Sequence, residues 1–340
     1  MIRVLIVDDS ATARNILHEI LESDARIEVV GLAADAYIAR DMIVELKPDV
    51  VCLDVEMPRM DGVTFLQKLM LHYPLPVVMV SSLTRNSAQV TLDALEAGAV
   101  DYVEKPHSHI YDGKEEIKDE LIHKVINASY ARVQKKLPLT RGKINVTSLA
   151  ETTHKVIAIG SSTGGTEALK VVLGGLPQNA PAVLVVQHMP QSFLESFALR
   201  LNALCTVDVK MAENGEFLQT GTVYIAHGSK HMVLRRSGAR YFIEIGLGAK
   251  VSGHCPSVDV LFNSVAKVAG RNAIGVILTG MGSDGAKGLM HMHDAGAKTI
   301  AQSQESCVVY GMPKEAIKLG GVDEISPLHE ISQSIVKMLS

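Results

Sequence analysis

The chain has 340 residues, enough for two domains, and at 47% hydrophobic and 21% charged its composition is that of a globular protein. Its formal net charge of −4 gives no electrostatic ground for nucleic acid or an anionic membrane as the main partner. No apolar run reaches transmembrane length, and MIRVLIVDDS turns acidic too soon for a signal peptide, so the expectation is a cytoplasmic protein without membrane insertion. The four cysteines, Cys52, Cys205, Cys255 and Cys307, include no C-x-x-C pair and read as buried, reduced thiols rather than disulfides or metal ligands.

Residues 2–7, IRVLIV, form an apolar strand that ends on Asp8-Asp9. A helix over 12–22 follows, with Ile16, Leu17 and Ile20 inward, then the strand IEVVGLA, a helix through 39–46, and the strand DVVCLD ending on Asp54. The pattern repeats with helix 62–71, strand PVVMVSS, helix 86–97 and strand DYVEK. Strands alternating with helices predict an α/β domain, a parallel sheet wound on both faces. Ligands bind such a sheet at its carboxyl edge.

At that edge Asp8, Asp9 and Asp54 would repel one another unless a cation sat among them, and hard oxygen ligands favour Mg²⁺. Ser81 and Lys105 add a hydroxyl and an ammonium, the groups that hold a phosphoryl oxygen. Any one of these could merely cap a strand; five at successive strand ends point to a site. VLIVDDS, KPDVVCLDVEMPRMDG, PVVMVSS and DYVEKP, in this order and spacing, resemble the response-regulator receiver domain, flavodoxin-like in fold, over residues 1–125 with the last helix extending to about 134. The resemblance implies that Asp54 is the phospho-acceptor. It implies further that Asp8, Asp9, Asp54 and the backbone carbonyl of Glu56 hold Mg²⁺, that Ser81 and Tyr102 form a switch pair, and that Lys105 contacts the phosphoryl group. Lys105-Pro106 would be a cis peptide.

Residues 114–134 read as an amphipathic helix, and the polar, aperiodic stretch 135–153 as a linker. Lys135, Lys136, Arg141 and Lys143 read as its solvated face. From His154 to 340 the βα pattern resumes. KVIAIGSSTGGTEALKVVLGGL is a strand, a Gly/Ser/Thr turn and a helix with Ala168, Leu169, Val172 and Leu176 on one face. Its turn contains Gly160-Ser161-Ser162-Thr163-Gly164, a G-x-S-x-G that can lift the Ser162 hydroxyl above a sheet beside a helix N-terminus. The same turn could bind phosphate, although a dinucleotide fingerprint would want glycine at 162. AVLVVQHMP leads to His188. TVDVKMA, TVYIA, HMVLRR and YFIEIG read as hairpins forming an antiparallel flank. SVDVLFNSVAKVAG is a helix, and AIGVILTG is a buried strand leading to Met281-Gly282-Ser283-Asp284-Gly285.

Ser162, His188 and Asp284 thus supply a nucleophile, a base and an orienting acid from strand ends of one Rossmann-like sheet. Their order is Ser…His…Asp rather than the Ser…Asp…His of α/β-hydrolases. From residue composition alone a chance trio remains an even alternative. IGSSTGGTEAL, VQHMP, IAHGSKHM, GHCPSVDVLF and LTGMGSDGAKGL together resemble the chemotaxis protein-glutamate methylesterases, the CheB family, from 154 to about 325. That resemblance implies Ser162 as nucleophile, His188 as general base and Asp284 as its orienter, with the backbone N–H groups of Thr163 and Met281 as oxyanion donors. It implies phosphorylation-activated hydrolysis of glutamate methyl esters, and of glutamine amides, on chemotaxis receptors, with a chemotaxis histidine kinase as phosphodonor and no cofactor for catalysis. His227 departs from the expected IAPG and reads as surface variation. His254, ahead of a helix, reads as lining the site or packing beneath it. Two other classes are disfavoured: a DNA-binding regulator needs a basic helix-turn-helix, and a nucleotide-binding effector needs an acidic residue where His188 stands.

Overall fold

Unbroken apolar runs such as VLIV and VVCL form strands covered on both faces, which is why they show no alternation. The computed structural model describes residues 1–81, 85–105, 114–133 and 154–339. The chain divides into two units, Met1–Thr140 and Arg141–Ser340.

In the first unit β1 (Ile2–Val7), α1 (Ala11–Glu22), β2 (Ile27–Ala33), α2 (Ala36–Leu46), β3 (Val50–Asp54), α3 (Gly62–His72), β4 (Val77–Ser81), α4 (Arg85–Ala97), β5 (Asp101–Glu104) and α5 (Lys114–Ser129) alternate in order. The sheet runs β2-β1-β3-β4-β5, every pairing parallel. That order reverses direction between β1 and β3, and the crevice there is where a flavodoxin-like sheet binds its ligand. α1 is capped by the Ser10 hydroxyl and buries Ala13, Leu17 and Leu21. Of the residues expected inward, only Leu17 is fully so; Ile16 and Ile20 flank the stripe and are half-buried. The last helix stops at Ser129 rather than near 134. The Ser129 hydroxyl donates to Ile126 O, and Tyr130 and Ala131 donate to Asn127 and Ala128, so the final turn tightens to three-residue spacing and ends. Pro106 and the 135–153 linker lie outside the described residues, and with them the expected Lys105-Pro106 geometry.

The second unit continues with β6 (Val156–Ser161), α6 (Gly165–Gly174), β7 (Ala182–Gln187), α7 (Gln191–Leu204), β8 (Asp208–Met211), β9 (Thr222–Ile225), β10 (His231–Ser237), β11 (Arg240–Gly246) and α8 (Val258–Val268). After these come β12 (Ala273–Ile277), α9 (Ala286–Asp294), β13 (Lys298–Gln302), α10 (Met312–Lys318), β14 (Glu324–Ser326) and α11 (Ile331–Leu339). The main sheet is β14-β13-β12-β6-β7-β9-β8. All its pairings are parallel. TVDVKMA and TVYIA are therefore not hairpin strands: β8 and β9 extend the parallel sheet, with β9 buried along its whole length. β10 and β11 pair antiparallel, through a two-residue turn at Gly238-Ala239, and their exposed positions mark a half-solvated ribbon. The core on one face gathers Leu184, Tyr224, Phe262, Ile277 and Leu289, each fully buried. Full burial of such side chains contributes about 1.5–3 kcal/mol apiece. Cys52 and Cys307 are buried, whereas Cys205 and Cys255 are only half-buried, all four as free thiols.

Candidate active site

In the first unit the strand register aligns the polar ends: Val7 beside Leu53, Asp54 beside Val80, Ser81 beside Glu104. Carboxylate oxygens of Asp8, Asp9 and Asp54 come within 4.8 Å of one another. Asp8 and Asp54 are buried and Asp9 is exposed. Lys105 Nζ donates to Asp54 Oδ2 at 2.8 Å and lies 2.8 Å from Asp8 Oδ2, which is buried and accepts no directed hydrogen bond among the described residues. Burial pushes the Asp54 carboxyl up to about 6, against the pull of Lys105 and helped by the like charge of Asp8. One ammonium thus faces three carboxylates, which fits a divalent cation in their midst. Glu56 N–H points back to Asp54 Oδ1 at 3.4 Å. The Ser81 hydroxyl is buried and accepts from Thr91 Oγ1 of α4 at 2.9 Å. Tyr102 is buried with Lys124 Nζ 4.6 Å from its ring centroid.

In the second unit β12, β6 and β7 are neighbours, so the residues that follow them meet at one edge. β6 and β7 stay in register to Ser161 and Gln187, which puts Ser162 and His188 in the next row. His188 N–H donates to Ser161 O at 3.2 Å. Ser162 N–H donates to Thr279 O at 3.1 Å, fixing the turn to the segment that leads toward Asp284. Two glycines make the approach close enough. Gly164 has φ +75 and no room for a side chain beside Val308, and a Cβ on Gly280 would sit 2.7 Å from Ser162 Cβ. The backbone beside Met281 therefore lies against Ser162. Met281 N–H donates to no acceptor among the described residues. Thr163 is buried, and its carbonyl accepts from Thr279 Oγ1.

Asp284 sits on the N-terminus of α8. Oδ1 accepts from Ser257 Oγ at 2.7 Å and Asp259 N at 3.0 Å; Oδ2 accepts from Val258 N at 2.8 Å and meets His188 Nε2 at 2.8 Å. Burial alone would raise its pKa, but His188, the backbone donor and Ser257 hold it below the ordinary carboxylate value. An ionised carboxylate only accepts, so Nε2 of His188 carries a proton, and in the neutral ring the lone pair is on Nδ1. Nδ1 is buried and has no hydrogen-bond partner among the described residues; it is not bonded to Ser162 Oγ here. Such contacts commonly tighten only when substrate is bound.

The sequence reading missed Gln187. Its Oε1 accepts from Ser161 Oγ at 2.6 Å, while Nε2 donates to Ser162 O at 3.0 Å and His188 O at 3.2 Å, pinning the two strand ends together. Ser257 and Asp259 were likewise unforeseen. His227 is not mere surface variation: it is half-buried and its Nε2–H donates to Ala212 O at 2.7 Å, tying the ends of β8 and β9. His254 lies flat on His188, ring centroids 3.7 Å apart and planes 4° from parallel. Donor atoms of His188, His254 and Asp284 fall within 4.8 Å of one another, but the in-plane lone pairs of stacked rings run side by side and do not converge on one metal.

Residues 157–335 match the family model of the CheB methylesterase and residues 4–111 that of the response regulator receiver domain. A protein-glutamate methylesterase/protein-glutamine glutaminase of Sulfurimonas denitrificans is 56% identical, the match covering 100% of this chain and 99% of that protein. The protein of the same description from Salmonella typhimurium is 53% identical over 100% of this chain and 97% of its own. Among solved structures, the Thermotoga maritima CheB methylesterase catalytic domain is 39% identical, with a TM-score of 0.53, over 54% of this chain and 98% of that domain.

Proposed function

The chain belongs to the CheB methylesterase family, with a receiver domain ahead of the catalytic one, and from that premise we propose that phosphorylation activates it as a serine hydrolase of glutamate methyl esters and glutamine amides on chemotaxis receptors. The observation that carries the reading is the His188–Asp284 pair, which leaves a buried, unpartnered Nδ1 in the row beside Ser162.

Nδ1 of His188 takes the Ser162 proton as Oγ attacks the ester carbonyl of the substrate side chain. Asp284 keeps Nε2 protonated and offsets the charge of the imidazolium that forms. The N–H groups of Thr163 and Met281 hold the oxyanion beside the N-terminus of α6. The C–O bond to the methoxy group breaks, and His188 returns the proton so that methanol leaves. Water, deprotonated by the same nitrogen, then cleaves the acyl-enzyme to carboxylate and free serine. An amide substrate follows the same steps and releases ammonia. Serine, imidazole and carboxylate suffice for both reactions without a cofactor.

In the receiver, Asp54 is the acceptor of a phosphoryl group from a histidine kinase of the chemotaxis system. Asp8, Asp9, Asp54 and the Glu56 carbonyl would hold Mg²⁺, which supplies neutralisation of the charge that develops during transfer. Lys105 reaches the phosphoryl oxygens, and Ser81 and Tyr102 pass the change to the surface. A cytoplasmic location belongs to the same reading.

The deciding experiment measures methanol release from methyl-labelled receptors with and without a small phosphodonor. Release that depends on Ser162 and rises with phosphodonor is the expected result; no release from a folded, phosphorylated protein would overturn the reading.

A further inference from the structure

Resting on the assignment of His188 as base, we propose that His254 is a positioning residue: a neutral aromatic plate that holds the His188 ring in its working plane and accompanies the imidazolium without taking a proton. The two rings are 3.7 Å apart and 4° from parallel. Asp284 fixes His188 only at Nε2, a single bond about which the ring could still tilt. A face-on neighbour removes that freedom, and displacing a base by about 1 Å can cost on the order of 100-fold in rate.

The plate is itself anchored. His254 Nδ1–H donates to Ser252 O at 2.9 Å. Ser252 adopts φ 52, a left-handed conformation uncommon for serine, and its hydroxyl donates to Asp259 Oδ2 at 3.0 Å. Asp259 Oδ1 in turn accepts Gly288 N–H of α9 at 2.8 Å. Val251 and His254 exchange backbone hydrogen bonds across the turn, both at 3.0 Å. The loop is thus tied to two helices, and its outcome is the placement of one ring.

His254 also has the electronic character the role demands. Burial lowers its pKa to about 4, with the neighbouring His188 charge and Lys250 acting in the same direction and Asp284 against them. It therefore stays neutral when His188 becomes charged, so the stack presents a polarisable face to a cation instead of a second positive charge. A group so weakly basic is a poor proton acceptor at neutral pH.

The test compares His254→Ala and His254→Phe in the full-length, phosphorylated protein by methanol release. The alanine variant should lose ~10- to 100-fold in kcat with KM changed less than about threefold. Phenylalanine, flat but unable to carry a proton, should recover most of that loss. Nitrogen-15 spectra should find His188 fixed as the Nε2–H tautomer in wild type and the phenylalanine variant, and averaged in the alanine variant. Wild-type kcat in His254→Ala, or a phenylalanine variant no better than alanine, overturns the proposal. Should alanine fail to fold, the phenylalanine variant decides alone: near wild-type turnover supports a plate, and a loss as deep as that of His188→Ala assigns His254 to proton transfer. If His188→Ala itself retains turnover, the base assignment is what has failed.

Discussion

His188 meets Asp284 through Nε2, at 2.8 Å, and not through Nδ1. In the familiar serine-protease arrangement the carboxylate takes Nδ1 and the base is Nε2. Here the imidazole is turned end for end, and the carboxylate it meets is also held by the first amides of α8 and by Ser257. Ser162→Ala should lower methanol release by ~10⁴ or more, since such groups act as a unit. His188→Ala should fall almost as far. Asp284→Asn should fall somewhat less, because the carboxylate orients the base rather than attacking the substrate. A tenth of wild-type turnover in Ser162→Ala would remove it from the nucleophile role.

Ser257 joins two tasks in one hydroxyl: it donates to Asp284 Oδ1 at 2.7 Å and accepts from Val260 N at 3.4 Å as the cap of α8. Ser257→Ala should destabilise the catalytic domain by ~0.5–2 kcal/mol. It should also slow turnover by roughly tenfold, because Asp284 keeps three of its four donors. Denaturant melts paired with initial rates give both numbers. A stability loss with unchanged turnover would leave Ser257 as a helix cap only.

Gln187 should matter more for structure than its single side chain suggests. Gln187→Leu keeps the volume but strips partners from the buried Ser161 hydroxyl and from the Ser162 and His188 carbonyls. Ser162 O keeps the Gly165 N–H, so two groups lose their partner, and at ~1–3 kcal/mol for each buried polar group left unpaired a loss of about 2–6 kcal/mol by chemical denaturation is expected. A change under about 0.5 kcal/mol would mean that water replaces the amide without penalty.

Asp54 ties the receiver to pH. Its folded pKa is raised to about 6 by burial, against about 3.8 for an unperturbed aspartate, so the folded domain holds this proton more tightly than the unfolded chain. Its contribution to stability is therefore favourable at low pH and declines as pH rises from about 4 to about 6. In metal-free protein the Asp54 carboxyl should titrate near 6 by carbon-13 NMR, and Mg²⁺ should move the midpoint down by favouring the charged form. Asp54→Asn should abolish uptake from acetyl phosphate. A midpoint that ignores Mg²⁺ would argue that the ion does not contact Asp54.

Strand ends made much of this chemistry legible, because in parallel sheets the apolar run stops where the carboxyl edge begins, at Asp8, Asp54, Ser81 and His188. The supporting residues were not legible. Gln187, Ser257 and Asp259 act on groups brought near by the crossing of separate βα units, and nothing local distinguishes them from ordinary polar positions. β8 and β9 misled for a different reason: short segments rich in β-branched residues and separated by polar breaks look the same in a hairpin and at the parallel edge of a sheet. The left-handed Ser252 and the plate it supports depend on a loop conformation that no periodicity encodes.

A receiver ahead of an enzyme matters only if its phosphorylation changes turnover at Ser162, and the size of that change measures the coupling between them. Phosphorylation of Asp54 would alter charge beside Lys105 and Ser81, and because Ser81 is bonded to Thr91 of α4, a shift of that helix against β4 is the expected first consequence. If the unphosphorylated receiver restrains the catalytic domain, a fragment beginning near residue 147 should be more active than the unphosphorylated full-length protein and indifferent to phosphodonor. The full-length protein should rise toward or past the fragment when phosphorylated, by no more than the free-energy difference between its restrained and released states allows. A tenfold activation corresponds to about 1.4 kcal/mol of that difference. A fragment no more active than the unphosphorylated full-length protein would exclude restraint as the mechanism, and the phosphorylated receiver would then have to assist catalysis directly.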